Sequence, residues 1–147
     1  MFRILIVTAT LVMLLPRQAT LAQTNSDERA VHQTVLNYVD ALYQGNVEQL
    51  RTSVHKDIRK TGFLRAEGQA EYHRQRSNRG DLETYARAVQ AGGAFSADAD
   101  KEIAVLDVQN QTAIAKLTAI WGTEYLILVK EEGEWVVMTV VWEGPRR

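Results

Sequence analysis

The sequence predicts an α+β domain in which helical segments come first and antiparallel strands come last. Apolar residues recur at helical spacing in the first part of the chain, up to about residue 90. From residue 103 the pattern changes to short runs rich in β-branched and aromatic residues, separated by turn residues. When helices and strands are segregated along a chain in this way, the helices typically pack on one face of an antiparallel sheet.

The clearest local signal is a β-hairpin at the C-terminal end. The runs Glu124–Lys130 and Glu134–Trp142 favour strands, and the short turn Glu131-Glu132-Gly133 separates them. The glycine in such a turn indicates a positive φ. Two earlier strands are predicted at Ile103–Gln109 and Thr112–Trp121.

Alternation along the strands indicates which side of the sheet meets the helices. Every second residue from Ala113 to Trp121 is apolar, and three of these are alanines, which leave room for close helix packing or for a cavity. Trp121 at the strand end is a candidate wall of that cavity. The last strand is largely apolar on both faces, with Trp135, Val137, Thr139 and Val141 opposite Val136, Met138, Val140 and Trp142. Because helices cover only one face, we expect the outer sheet face to join two copies as a homodimer.

The first helix is predicted to begin at a cap formed by Ser26 or Asp27. Its apolar stripe continues to about Gln44, and Gly45 is the residue expected just past its end. The residues from Gln23 to the cap are polar and are predicted to form a loose tail.

Two shorter helices are predicted further along. Asn46 caps one of them. Asp81 caps the other, which runs to about Gln90, and Gly92-Gly93 is predicted to terminate it. Between them, residues 56–80 are rich in Lys and Arg and are predicted to be irregular and mobile, with a short strand near Ile58–Leu64.

The N-terminal segment has the organisation of a signal peptide. Arg3 precedes the apolar run Ile4–Leu15, which is too short to span a bilayer comfortably, and small residues lead up to Ala22. We expect cleavage after Ala22, which would export residues 23–147 as a single domain to the periplasm or the medium, with no membrane attachment afterwards. A retained N-terminal anchor is the alternative.

Composition excludes several classes of function. The 147 residues include no cysteine, which rules out disulfides, thiolate zinc sites and a cysteine nucleophile. A net charge of -1 argues against a nucleic-acid partner. A metal site would need His55, Asp57 and His73 to converge, and their spacing does not require it, so we predict neither a metal nor a cofactor.

The order of elements resembles the nuclear transport factor 2-like (NTF2-like) superfamily, and within it the SnoaL-like and lumazine-binding groups. The segments Tyr38–His55, Ala113–Lys116 and Glu124–Trp142 carry the resemblance. It implies a cone-shaped domain in which a curved sheet wraps around helices and encloses a pocket. The superfamily includes isomerases, dehydratases, cyclases and binding domains without chemistry, so the fold alone does not select an activity.

His55 is the candidate catalytic residue, because acid–base residues of isomerase-like members lie near this part of the chain. Its imidazole would act as general base, with Asp57 orienting the ring. The alternative is that His55 bonds to the backbone and closes the helix end.

Six further residues are candidates for ligand contact. Four aromatic residues would form the pocket wall or simply the core, and two basic-segment residues would hold an anionic group or lie in solvent. They are Tyr38, Trp121, Tyr125 and Trp142, and His73 and Arg76.

Three functions are consistent with the sequence. The leading one is an exported domain that binds a small, partly apolar molecule. The others are an acid–base enzyme that uses His55 with Tyr38 or Tyr125, and an interaction domain that works through its outer sheet face.

Overall fold

The computed structural model describes residues 15–93, 95–96 and 99–145, with side chains from residue 23 onward. The elements are α1 (Leu15–Gln44), α2 (Val47–Ser53), β1 (Val54–Leu64), β2 (His73–Ser77), α3 (Arg79–Gly92), β3 (Lys101–Val108), β4 (Thr112–Ala119), β5 (Gly122–Glu131) and β6 (Glu134–Glu143). Most of the predicted signal segment, residues 1–14, lies outside this range.

Six strands form one sheet in the order β2-β1-β6-β5-β4-β3. Every neighbouring pair is antiparallel except β1 and β6, which run parallel. The α+β class is confirmed, with the refinement that the sheet is mixed. β1 follows α2 directly and lies in the sheet beside β6, the last strand.

The core lies between the helices and the inner face of the sheet. The apolar stripe of α1 and the alanine-bearing face of β4 are buried, as predicted. The core residues of these two elements include Val31, Val35, Tyr38, Val39, Leu42, Ala113, Ala115, Leu117 and Ala119. Alanines on β4 leave space for the larger side chains of α1, so the helix packs closely on the sheet.

The predicted start of α1 is wrong, because the helix continues through residues 23–27. Asp27 is 8% exposed instead of capping a helix in solvent. Its carboxylate accepts hydrogen bonds from Lys130 Nζ at 2.6 Å and Trp135 Nε1 at 3.2 Å. These contacts to the sheet offset the poor helix propensity of aspartate, and a local sequence pattern does not reveal them.

The cap of α3 is Asn78, three residues before the predicted Asp81. The Asn78 side chain accepts from the backbone N–H of Asp81, and the Asp81 carboxylate accepts from that of Asn78, which forms a capping box. The predicted helix end is confirmed, since Gly93 caps α3 with a φ of 63°.

The expectation that residues 56–80 are irregular is wrong for most of the segment. The short strand near Ile58–Leu64 is confirmed as part of β1, which spans 11 residues, and His73–Ser77 pairs with it antiparallel. β1 is stabilised by pairing with β6, about 80 residues later in the chain. Such non-local pairing overrides a locally weak strand signal.

A bulge corrects the predicted faces of β6. The register with β5 shifts between Ile127 and Leu128, so that Met138 is an extra residue in β6. Trp135 and Val137 before the bulge are therefore buried on the same side as Val140 after it. The shift also turns Trp142 towards the helices, where it contacts the core.

Candidate functional site

A cavity of about 250 Å³ lies between the helices and the end of the sheet where β1, β2 and β6 meet. We call it the aromatic cavity. Its walls come from α1, β1, β2, α3, β6 and the β4–β5 turn. The lining residues are Leu42, Lys60, Gln75, Ser77, Asp81, Leu82, Tyr85, Trp121 and Trp142. Most of this surface is aromatic or aliphatic, and a few polar groups converge on it, as is typical of small-molecule sites.

An ion pair between Lys60 and Glu124 lies against the cavity wall. Lys60 is 8% exposed and Glu124 is fully buried. Their side chains meet although β6 separates the strands that carry them, and Lys60 Nζ donates to Glu124 Oε1. A pair so far removed from water must be well hydrogen-bonded to offset its desolvation.

Two further polar groups form hydrogen bonds with the ion pair. Trp121 Nε1 donates to Glu124 Oε1 at 2.7 Å, and Lys60 Nζ donates to the Tyr38 hydroxyl oxygen at 2.8 Å. The other carboxylate oxygen of Glu124, Oε2, is buried and accepts no hydrogen bond from the part of the chain that the structure describes.

Aromatic rings surround the Lys60 ammonium. Its Nζ lies 5.5 Å from the ring centroid of Tyr38, 5.5 Å from that of Trp121 and 5.4 Å from that of Trp142. Cation–π attraction at these distances stabilises a desolvated ammonium. Together with Glu124, the rings hold the charge of Lys60 at the inner end of the cavity.

Tyr38 acts here as a neutral hydrogen-bonding group. Burial raises the pKa of Tyr38 well above its usual range, and the neighbouring negative charge of Glu124 raises this pKa further. The phenol therefore remains protonated at physiological pH, which makes it unsuitable as a general base.

The two tryptophans of the cavity are held by specific neighbours. Trp121 packs edge-to-face on Tyr43 with ring centroids 5.0 Å apart. Tyr43 is itself fixed, because its hydroxyl donates to the Asp100 carbonyl at 2.9 Å and accepts from the Ile120 N–H at 3.1 Å. Trp142 lies across Gly62, its partner on β1. Rigid walls of this kind reduce the entropy lost when a ligand binds.

The structure brings together three of the predicted site residues and separates the others. Tyr38, Trp121 and Trp142 all surround Lys60. Tyr125 is 54% exposed on the opposite, outer face of the sheet. Successive residues of a strand point to opposite faces, and Glu124, the residue before it, points inward. The predicted place of Tyr125 in a pocket is therefore wrong.

The two predicted residues of the basic segment lie in different places. Arg76 lines a neighbouring recess of about 440 Å³, which shares Lys60, Ser77 and Asp81 with the aromatic cavity. His73 is exposed near the far end of β1, where its Nε2 lies 3.0 Å from Gln69 Oε1.

His55 does not line the aromatic cavity, which corrects the expectation that it works there. Its Nδ1 accepts from the backbone N–H of Asp57 at 3.0 Å, and its Nε2 lies 3.1 Å from Glu131 Oε2. The contact to the backbone matches the first part of the alternative, but His55 does not close the end of α2, since the backbone N–H of Val54 donates to the Leu50 carbonyl there. The position of His55 on β1 turns the ring towards the β5–β6 turn, away from the Lys60 ammonium.

Sequence reasoning missed Lys60 and Glu124, although both left a signal. Glu124 alternates with the buried Leu126 and Leu128 on one face of its strand. Lys60 follows the buried Ile58 by two residues and so lies on the same face as Ile58. A charged residue on the apolar face of a strand is rarely buried unless it is paired. Two such residues of opposite charge on different strands predict a buried ion pair.

Two other features bear on the kind of site. Among the described residues, no group of three His, Cys, Asp or Glu side chains is placed to hold a metal ion. In the same part of the chain, every helix is too short or too polar to cross a bilayer.

Comparison with solved structures identifies the fold. The fold is that of the NTF2-like proteins. An NTF2-like protein of unknown function from Silicibacter pomeroyi is 19% identical, with 83% of this chain and 98% of that chain covered at a TM-score of 0.64. An NTF2-like protein with a cystatin-like fold from Novosphingobium aromaticivorans is 13% identical over 90% and 91% of the two chains, with a TM-score of 0.62.

A third similar structure is a putative dehydratase from the NTF2-like family of Streptomyces avermitilis. It is 11% identical over 84% of this chain and 99% of that chain, with a TM-score of 0.54. Among curated proteins, none matches this sequence. The family profile described as "Putative lumazine-binding" matches residues 26–143, and the chain belongs to that family.

Proposed function

We propose that this domain binds a small, largely apolar molecule in the aromatic cavity. The observation that carries the proposal is the convergence of Trp121, Trp142 and the buried Lys60 on a space of about 250 Å³. Aromatic walls provide apolar area at low entropic cost, and one fixed charge orients the bound molecule. The description of the family as lumazine-binding supports small-molecule binding in general.

Catalysis by His55 lacks support from the geometry, because His55 lies outside the cavity. Lys60 and Glu124 neutralise each other, and Tyr38 remains protonated. The residues around the cavity therefore favour binding over acid–base chemistry.

The test is native mass spectrometry of the purified protein, which should show a co-purifying small molecule. Trp142→Ala removes a cavity wall and should abolish co-purification. Tyr125→Ala removes an aromatic ring of the outer face and serves as the matched control, since it should retain the molecule. Thermal unfolding of both variants verifies that they fold. Absence of any bound molecule, or equal loss in the two variants, would contradict the proposal.

We also propose that residues 1–22 are a signal peptide and that residues 23–147 are exported. The family match begins at residue 26, and Asp27 is tied to the sheet through Lys130. The folded unit therefore includes residues from shortly after the proposed cleavage site. Expression of the full-length gene, followed by intact-mass measurement of the folded protein, should give a chain that begins at Gln23. A chain that retains residues 1–22 would contradict this proposal.

Homodimer formation through the outer sheet face is a further part of the proposed function. Four apolar residues of β4, β5 and β6 form a patch at its centre. They are Ile114, Tyr125, Ile127 and Val141, which are 42%, 54%, 45% and 45% exposed. Ile114 is paired with Ile127, and Tyr125 with Val141, so the patch is continuous across three strands. Monomers rarely expose a continuous apolar surface of this kind.

The charges at the edges of this face support a second copy as the partner. One edge carries three exposed arginines, Arg59, Arg74 and Arg76, which outnumber the exposed carboxylate of Asp57 on β1, and the other edge carries Glu102 and Asp107. A two-fold axis parallel to the strands, above the apolar centre, would place the basic edge of each copy opposite the acidic edge of its partner.

Sedimentation velocity tests this arrangement. The wild-type mature domain should sediment as a dimer at micromolar concentration, and Ile127→Lys should convert it to a monomer because two charges would be buried at the interface. Ala91→Lys places the same charge on the exposed end of α3 and should leave the dimer intact. A monomeric wild type would refute the dimer.

A further inference from the structure

We propose that the ligand of the aromatic cavity is an uncharged, planar ring compound whose carbonyl oxygen accepts a hydrogen bond from Lys60. This inference rests on the proposed binding function and specifies the chemical class of its ligand. Three properties of the cavity carry it: a donor, a charge balance and a shape.

The donor is the Lys60 ammonium, which carries three N–H groups. Two of them are directed to the Tyr38 hydroxyl oxygen and to Glu124 Oε1. No third acceptor for Nζ is present among the residues whose side chains the structure describes, 23–93, 95–96 and 99–145, and Lys60 forms part of the cavity wall. The third N–H is thus available to a molecule in the cavity. A ligand atom that approaches Nζ must therefore be an acceptor.

The charge balance favours a neutral acceptor over an anion. Glu124 compensates the positive charge of Lys60, and Asp81 adds a carboxylate to the cavity wall. A second anion would bring an uncompensated charge into a partly desolvated space, which is costly. A cationic ligand group would be repelled by Lys60. The remaining choice is a polarised but neutral oxygen, such as the carbonyl of a lactone, lactam or ketone.

The basic residues of the neighbouring recess do not alter this balance at the Lys60 ammonium. Arg59 lines that recess and is exposed, and so is Arg76, which pairs with Thr61 on the strand beside it. Arg59 and Thr61, the partner of Arg76, are the neighbours of Lys60 on β1. The side chains of Arg59 and Arg76 therefore point to the face opposite that of Lys60, which is the outer face of the sheet. An anionic substituent that reached them would be a different ligand class, and the experiment below includes it as an outcome.

The shape favours flat rings. The indoles of Trp121 and Trp142 and the phenol of Tyr85 offer aromatic surfaces, on which planar rings stack in offset or edge-to-face geometry. The volume of about 250 Å³ lies below the roughly 300–1,000 Å³ of drug-sized pockets. One or two fused rings therefore match the space better than a long or branched molecule.

Equilibrium dialysis against three probes of two fused rings tests the inference. Coumarin is neutral and has a carbonyl, naphthalene is neutral and has none, and 2-naphthoate is an anion. We expect coumarin to bind at least about tenfold more tightly than either of the others, because a hydrogen bond to a charged donor contributes that much to affinity.

Variants identify the donor. The double change Lys60→Met with Glu124→Leu removes the ammonium without leaving a buried carboxylate, and it should lower coumarin affinity to the level of naphthalene. Lys56→Met is the matched control, because Lys56 lines only the neighbouring recess, and coumarin binding should be unchanged.

The outcomes separate this inference from the proposed function. Equal affinity for coumarin and naphthalene, or tightest binding of 2-naphthoate, would overturn the ligand class while leaving the cavity as a binding site. Unchanged coumarin affinity in the double variant would overturn the role of Lys60. If none of the probes binds, the inference fails, and the co-purification experiment then decides separately whether the cavity binds any molecule.

Discussion

The indole of Trp142 lies directly against the backbone of Gly62 on the neighbouring strand. A Cβ placed at Gly62 would be 2.2 Å from both Cε2 and Nε1 of the indole, closer than any side chain tolerates. The position of a principal cavity wall therefore depends on the absence of a side chain at one residue. This relationship links the sequence of β1 directly to the shape of the proposed binding site.

Gly62→Ala is therefore expected to displace the Trp142 ring. The variant should lose about 1–3 kcal/mol of stability from overpacking and should bind coumarin more weakly. Urea unfolding and dialysis measure the two effects. In a Trp142→Leu background the same glycine change should cost less than about 0.5 kcal/mol, because the contact is already removed. An equal cost in both backgrounds would show that another contact is responsible.

The buried pair of Lys60 and Glu124 predicts strong energetic coupling. Each single change, Lys60→Met or Glu124→Leu, should destabilise the domain by about 3–5 kcal/mol, because it leaves the other charge buried without its partner. The double variant should cost clearly less than the sum of the single costs. A double-mutant cycle in urea measures this difference, and additive costs would contradict the pairing. Lys56→Met, which changes an exposed lysine, should be nearly neutral.

A side chain at Gly45 is expected to clash at the contact between α1 and α3. The φ of Gly45 is +70°, and a Cβ there would lie 2.4 Å from the backbone nitrogen of Gln90. Gly45→Ala should therefore lose at least about 1–2 kcal/mol of unfolding free energy. The measurement is the urea midpoint of the purified variant.

Two other glycines serve as controls for Gly45. Gly68 has a φ of +77° with open space around it, so Gly68→Ala isolates the conformational cost alone and should be the milder change. Gly92 lies in helix α3 with open space, and Gly92→Ala should stabilise by about 0.5–1 kcal/mol. If Gly68→Ala destabilises as much as Gly45→Ala, the steric explanation fails.

The hydrogen bonds of Glu83 at the contact between α2 and α3 are expected to make a pH-dependent contribution to stability. The Glu83 carboxylate accepts from Arg51 Nε and Nη2, both at 2.9 Å, and from Arg87 Nη2 at 2.9 Å. The hydrogen bonds from Arg51 are the main reason that the pKa of Glu83 falls from its usual 4.5 to about 2. Because the folded-state pKa is depressed, the stabilisation is present above pH 4.5 and is lost as the pH falls towards 2.

Glu83→Gln tests this linkage. At pH 7 the change should cost about 1 kcal/mol, a typical value for a partly exposed ion-pair network, and the cost should shrink when unfolding is measured near pH 3. Glu48→Gln is the matched control, because Glu48 also contacts Arg51 but its side chain is 81% exposed. That control should be nearly neutral at both pH values. A cost for Glu83→Gln that does not change between pH 7 and pH 3 would be inconsistent with the lowered pKa.

Local sequence patterns were sufficient to predict those elements whose structure depends on residues close together in the chain. The β5–β6 hairpin forms around Glu132 and Gly133, with φ values of 51° and 90°, as its turn residues indicated. The alternating alanines of β4 face the helices, and Gly93 ends α3. In each case the signal comes from backbone preference or from strict alternation, which a window of a few residues contains.

Long-range contacts account for the features that local patterns missed. The bulge at Met138 reverses the alternation of β6 and turns Trp142 inward, and it is defined only by the register with β5. Asp27 is accommodated inside α1 because Lys130 and Trp135 lie beside it. Tyr125 faces outward because Glu124, its neighbour in sequence, takes the inner position.

The sequence by itself determined the fold class, the inner face of β4, the last hairpin and three of the residues that surround the Lys60 ammonium, Tyr38, Trp121 and Trp142. Only the tertiary structure decided that Lys60 and Glu124 meet across β6, that β1 runs parallel to the last strand, and that His55 stands apart from the cavity. The physical reason is the range of the interactions involved. Helix periodicity, strand alternation and turn preferences act over a few residues, whereas a buried charge finds its partner through the packing of strands that lie more than 60 residues apart in the chain.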